Sequence, residues 1–122
     1  MQNKRRLGAV YENRVAEYLK SKGYAILEKN FSCHFGEIDL IAEKDGYIVF
    51  VEVKYRSSDS FGMPMAAVDY RKQRKISNTA SYYLHRHHYS LDTPCRFDVA
   101  AVSKQSIQMI ENAFPYVGNF GR

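Results

Sequence analysis

GEIDLIAEKDGYIVFVEVKYR, residues 36–56, decides the fold. Asp45-Gly46 stands between two apolar runs, and a two-residue hairpin turn needs positive φ at both central positions, which Asp-Gly tolerates. A loop of that length sets the register, placing Asp39 opposite Glu52 and Glu37 opposite Lys54. Opposed side chains in an antiparallel pair have Cβ atoms roughly 4.5–5.5 Å apart, where like charges destabilise the sheet. By strand alternation Glu37, Asp39 and Ile41 share a face with Phe50, Glu52 and Lys54. A hard cation such as Mg²⁺, which takes oxygen ligands from one or two carboxylates, is the simplest compensation for the acidic pair. An ion-pair lattice in which Lys54 neutralises Glu37 and Asp39 accounts for the same pattern. A three-residue turn within residues 43–46 would shift the pairing by one and separate the carboxylates.

The second strand of this hairpin carries the continuous apolar run IVFVEV, expected of a strand covered on both faces and therefore central in its sheet. Around it, 122 residues suit one domain, 1–122, with a core that needs no disulfides and with flexible ends at about 1–6 and 115–122. A composition 45% hydrophobic and 25% charged sets aside disordered and fibrous classes. Eighteen Lys and Arg against 13 Asp and Glu leave a charge of +5, which favours a polyanionic partner such as nucleic acid. Cys33 and Cys95 lack the spacing of zinc ligands and are expected to act as small hydrophobes. The first residues lack an apolar signal-peptide core and no run is long enough to span a membrane, so a cytoplasmic protein is expected.

Leu7, Tyr11, Val15, Tyr18, Leu19 and Lys22 follow helical spacing, and Gly23 suits the residue just past the helix end. Glu12 adjoins this stripe, as a surface carboxylate or as one reaching a site at the sheet end. Lys4, Arg5 and Arg6 are either phosphate contacts or a solvated end. Residues 24–31 read as a strand, followed by a connection that contains His34. After the hairpin, residues 56–63 form a polar loop, Pro64 suits a first helical turn, and a helix is expected over about 65–87. Its inner stripe is Val68, Lys72, Ile76, Ala80, Tyr83, Leu84 and His87, with Gln73 one position round. Arg71, Lys72, Arg74 and Lys75 crowd its beginning, as a solvated basic turn or as a cluster that positions phosphates. His85, His87 and His88 lack a companion ligand and are expected at the surface. Residues 95–102 and 107–114 return as strands. Asp98, inside the first of these, requires a partner such as Arg96 or a backbone donor.

The segments Gly36-Glu37-Ile38-Asp39-Leu40-Ile41, Val51-Glu52-Val53-Lys54-Tyr55-Arg56 and Lys72-Gln73-Arg74-Lys75-Ile76 closely resemble the YraN family, also called UPF0102. The resemblance extends to Gly8, Tyr11, Glu12, Ala16, Tyr18 and Leu19 in the first helix and to Arg96-Phe97-Asp98-Val99. More widely the chain resembles the PD-(D/E)XK nuclease superfamily, particularly archaeal Holliday-junction resolvases. This implies an α/β fold with a three-layer, restriction-endonuclease-like αβββαβ core and a mixed central sheet flanked by helices. It implies Asp39 and Glu52 as ligands of Mg²⁺ or Mn²⁺, one or two ions, with the Val53 carbonyl assisting. Lys54 would stabilise charge or orient the attacking water. Glu12 matches the helix-one glutamate of such sites and Gln73 a polar residue on the later helix, while Ile38 stands where the superfamily has proline. The expected activity is metal-dependent endonucleolytic hydrolysis of DNA, possibly branched, with Arg56, Arg71, Lys72, Arg74 and Lys75 contacting the nucleic acid. No small-molecule cofactor is expected, and either a monomer or a homodimer. The alternatives are a non-catalytic nucleic-acid-binding module and a protein-interaction adaptor.

Overall fold

The computed structural model describes residues 4–56, 68–90 and 92–119, with side chains from Leu7 onward. Seven elements follow in order: α1 (Lys4–Ser21), β1 (Ala25–Cys33), β2 (Gly36–Lys44), β3 (Tyr47–Tyr55), α2 (Tyr70–Arg86), β4 (Cys95–Val102) and β5 (Ile107–Phe114). The strands form one sheet in the order β1-β2-β3-β4-β5. Only β3 and β4 run parallel; the other neighbours are antiparallel. A parallel pair needs a crossover, and α2 supplies it. The arrangement is the expected αβββαβ core with helices on both faces, extended by β5.

The apolar pattern of β3 is explained by its place. Val49 and Val51 pack with Tyr11, Val15, Ala16 and Leu19 of α1. Ile48 and Phe50 pack with Ile76, Ala80 and Tyr83 of α2. Fully burying each such aliphatic side chain stabilises the fold by roughly 1.5–3 kcal/mol. At the end of α1 the backbone N–H of Tyr24 donates to the Leu19 carbonyl and that of Gly23 to Lys20, both at 3.0 Å. These two bonds with Gly23 at φ +93 make a Schellman ending, as the sequence predicts.

Helix α2 begins later than the expected position near 65. Val68 and Asp69 are non-helical, and Asp69 caps the helix by accepting the Lys72 N–H at 2.8 Å. Competition from that carboxylate stops the helix from extending backward. Val68 is therefore a core residue outside the helix rather than part of its stripe. Residues 57–63 of the loop read at 56–63, and Pro64, lie outside the described residues. Strand β1 runs to Cys33, past the expected 31, because the turn at His34 and Phe35 pairs Cys33 with Gly36. Where a free tail is expected from 115, the Val117 N–H donates to Ser77 Oγ at 3.0 Å and the Asn119 N–H to Asn78 Oδ1 at 2.8 Å.

Asp98 is fully buried on β4 and finds both of its expected kinds of partner. Arg96 Nε donates to its two oxygens at 3.1 Å, and the Asn112 N–H of β5 donates to Oδ1 at 2.9 Å. Asn112 adopts φ +53, and the β4–β5 register shifts between Phe97 and Val99, so the carboxylate fills a break in the ladder. Asp98→Ala leaves a half-buried guanidinium and a strand N–H without acceptor and is expected to destabilise by roughly 3–5 kcal/mol in urea denaturation. A loss below about 1 kcal/mol, the range of an exposed ion pair, would contradict this role.

Candidate active site at the parting of two strands

The hairpin pairs as its two-residue turn dictates, with Asp45 at φ +51 and Gly46 at φ +84. Lys44 faces Tyr47 and the ladder runs to Leu40 opposite Val51. There it stops. Alternation from the turn makes Leu40/Val51 a hydrogen-bonded pair, so a continued ladder would send the Val53 N–H to the Ile38 carbonyl. Instead that N–H donates to Asp39 Oδ2 at 2.8 Å. The Asp39 side chain thus occupies the gap between the strands.

The same point breaks the alternation of β2. Ile38 and Ile41 both pack on the α2 side, whereas Leu40 packs on the α1 side. Beside it on β1, Lys29 reaches Asn13 of α1 and Phe31 packs against Tyr83 of α2, with Asn30 between them at φ +53. The expectation that Glu37, Asp39 and Ile41 share one face by simple alternation is therefore corrected. Asp39 faces the edge of β3, where carboxylates from both sides can reach it. Glu12 approaches from α1, close enough for the negative charge of Asp39 to act on it and with Asn30 beside it. Glu52, buried on the α2 side, lies near enough for the charge of Asp39 to act on it.

Burial and crowding raise the proton affinity of Glu52 and Glu12. Burial, reinforced by the negative charge of Asp39, pushes Glu52 up to about 7 against the opposing pull of Lys72 and Lys54. Burial likewise raises Glu12, and Asp39 and Glu37 add to the effect. Lys72 Nζ lies 3.4 Å from Glu52 Oε2. Lys72, expected among the phosphate contacts, therefore points its ammonium at the carboxylates. Sequence reasoning missed the Lys72–Glu52 pairing and the part played by Asn30. An asparagine within a strand, tolerant of positive φ, was the available signal for the latter.

The remaining expected residues are placed as follows. Lys54 is half-buried on β3, near enough for its charge to act on Glu52. Gln73 donates its amide N–H to the Val68 carbonyl at 2.8 Å and so ties down the entry to α2. The Arg56 N–H donates to the Val102 carbonyl at 2.7 Å, continuing the contact between β3 and β4. Arg71 and Lys75 are exposed and Arg74 is half-buried. His34 is exposed, and Cys33 and Cys95 are free thiols, that of Cys95 pushed up to about 11 by burial. Among the described residues no group of three or more His, Cys, Asp or Glu side chains is arranged to hold a metal ion. The donors at the gap are nevertheless all oxygens, the chemistry that suits Mg²⁺ or Mn²⁺, and their mutual repulsion is what a cation would relieve.

The Glu52 shift has a consequence for stability. A folded value above the ordinary 4.5 means that ionised Glu52 opposes folding, so its penalty is absent below about 4.5 and grows as pH rises through about 7. In the metal-free protein Glu52→Gln should raise stability by on the order of 2 kcal/mol at pH 8 and change little at pH 4.5. Thermal denaturation in EDTA at both pH values measures this. Equal effects at the two values would refute it.

The profile of the uncharacterised protein family UPF0102 matches residues 11–102. A UPF0102 protein of Lachnoclostridium phytofermentans is 47% identical over 117 residues, covering 96% of this chain and 99% of that one. One from Thermodesulfovibrio yellowstonii is 48% identical over 108 residues, covering 88% and 95%. One from Alcanivorax borkumensis is 41% identical over 119 residues, covering 93% and 95%. A solved structure titled "Crystal structure of SSO0001" is 17% identical with a TM-score of 0.44; the match covers 89% of this chain and 52% of that one, about half its length. With a profile match from the first helix to the end of β4 and relatives aligned over nearly their full length, this chain belongs to the UPF0102 family.

Proposed function

We propose that the protein is a divalent-metal-dependent phosphodiesterase of the PD-(D/E)XK type that acts on DNA, with branched or otherwise structured DNA as its substrate class. The observation that carries this reading is the convergence of Glu12, Asp39 and Glu52 at the gap where β2 leaves β3. Asp39, Glu52 and the Val53 carbonyl would hold Mg²⁺ or Mn²⁺, with Glu12 beside them. Bound there, the ion supplies an activated water and neutralises charge on the phosphate oxygens. The chain's own residues do the rest. The Val53 N–H holds Asp39 in place. Lys54 and Lys72 add fixed positive charge that favours the extra negative charge of the transition state over the ground state. Arg71, Arg74 and Lys75 sit in the first turns of α2, three cations against the one carboxylate of the capping Asp69. Cations at the positive end of a helix oppose its dipole, an arrangement that a phosphate backbone would offset.

A second reading, nucleic-acid binding without turnover, is favoured by the Lys72–Glu52 pair, which already offsets part of the acidic charge. The two separate in one experiment. Linear, flapped and four-way DNA are incubated with wild type, Asp39→Asn and Glu52→Gln in Mg²⁺ or Mn²⁺. The first reading expects cleavage by wild type and at least a hundredfold loss in each variant, on the scale of removing one transition-state charge interaction. Alongside, Mg²⁺ should raise the melting temperature of wild type at pH 7.5 and not that of Asp39→Asn. Cleavage retained by both variants would overturn the site assignment, and binding without cleavage would establish the second reading.

A further inference from the structure

A second concavity lies along α2 from the carboxylates. It is an open cleft of about 420 Å³ between the β1–β2 turn and the second half of α2, lined by Phe31, His34, Tyr82, Arg86 and His87 among others. That volume suits one planar heterocycle. Its walls are aromatic and cationic. His34 and Tyr82 cross edge to face with ring centroids 5.9 Å apart, and Phe31 lies 6.3 Å from Tyr82. Arg86 Nη1 donates to the Tyr82 hydroxyl at 3.0 Å, which sets a positive charge beside that ring. Glu28 is the one carboxylate in the lining.

The cleft and the carboxylate site share one helix face. Lys72, Lys75, Thr79, Tyr82 and Arg86 recur at spacings of three and four, so they line a single stripe of α2. Gly36 presses the start of β2 onto that stripe, since a Cβ there would stand 3.3 Å from Thr79 Oγ1 and 3.4 Å from Lys75 Cβ. The turn that carries His34 is thereby held against the helix. Ten residues separate Lys72 at the Glu52 carboxylate from Tyr82 at the cleft, about 15 Å along the axis. That span is at most roughly four base steps, counted at the stacked spacing of about 3.4 Å.

We propose that this cleft receives an unpaired base of the DNA strand whose backbone passes the Asp39–Glu52 site, no more than about four nucleotides from the phosphate held there. The proposal rests on the phosphodiesterase reading for the path of the strand. Half-buried rings inside a cleft meet the face of a base only when it has left the duplex stack, whereas cations along the stripe meet phosphates of either form. Lys75, exposed on the same helix face, and Arg86, exposed at the cleft, offer positive charge to the phosphates beside that base. The site then distinguishes DNA with a single-stranded segment from continuous duplex.

Fluorescence anisotropy in EDTA tests this without cleavage, using a labelled duplex and the same duplex carrying a four-nucleotide single-stranded gap. Wild type should prefer the gapped form. Tyr82→Ala should lose roughly ten- to hundredfold in affinity for it, the scale of one base–aromatic stack, and less than about threefold for duplex. Tyr82→Phe, which keeps the ring, should stay close to wild type, guarding against a misfolded alanine variant. 2-Aminopurine placed in the gap should be quenched by wild type and by Tyr82→Phe but not by Tyr82→Ala. Equal losses on both DNAs, no loss on either, or displacement of the gapped DNA by an acidic peptide as readily as by unlabelled gapped DNA would overturn the proposal. Absence of cleavage in the preceding assay would sink the phosphodiesterase reading while leaving these binding outcomes to decide the cleft.

Discussion

One hydrogen bond, from the Val53 N–H to the Asp39 carboxylate, sets the geometry on which the candidate site depends. A side chain has taken the place of the Ile38 carbonyl in the ladder. That substitution ends the pairing of β2 with β3 after Leu40 and Val51 while β3 continues beside β4 to Tyr55. The sheet therefore opens on one side of its central strand without losing the other. A backbone N–H left unpaired at such a point would cost as much as a lost hydrogen bond, so the aspartate both makes the gap and satisfies it.

The chain uses this device twice, and the contrast separates structure from chemistry. At β4 and β5, Asp98 also accepts a strand N–H beside an asparagine at positive φ, but Arg96 covers both of its oxygens. Burial there is matched by a cation that shares one N–H between both oxygens. At β2 and β3, Glu52 has the more distant ammonium of Lys72 and the charge of Lys54, and Asp39 is pressed by two other acids. The first arrangement is balanced, and the second holds an excess of negative charge. A site that keeps such charge next to Lys54 and the basic start of α2 is built for a cation on one side and an anion on the other.

Helix α2 joins these features. Its start carries the ammonium that faces Glu52, its middle packs against Gly36, and its second half supplies Tyr82 and Arg86 to the cleft. Its inner face meanwhile buries Ile76, Ala80 and Tyr83 against the sheet. Displacing the helix would disturb the core, the carboxylates and the cleft together.

The sequence by itself determined the elements and their order, because Asp45-Gly46, Gly23 and the apolar periods of the helices and strands act through local geometry. It also pointed to the hairpin register through Asp45-Gly46, which the strands keep as far as Leu40 and Val51, and it singled out Asp39, Glu52 and Asp98 as acids in apolar strands. Tertiary structure decided what each acid does. Strand alternation predicted Asp39 on one face, but the paired irregularity at Asn30 and Asp39 spans two strands and follows no local period. Lys72 read as one of four similar cations, and only the packing of α2 over β3 aims it at Glu52. Residues far apart in the chain set the charge balance of the site, so burial and proximity, which no window of sequence contains, assigned those roles.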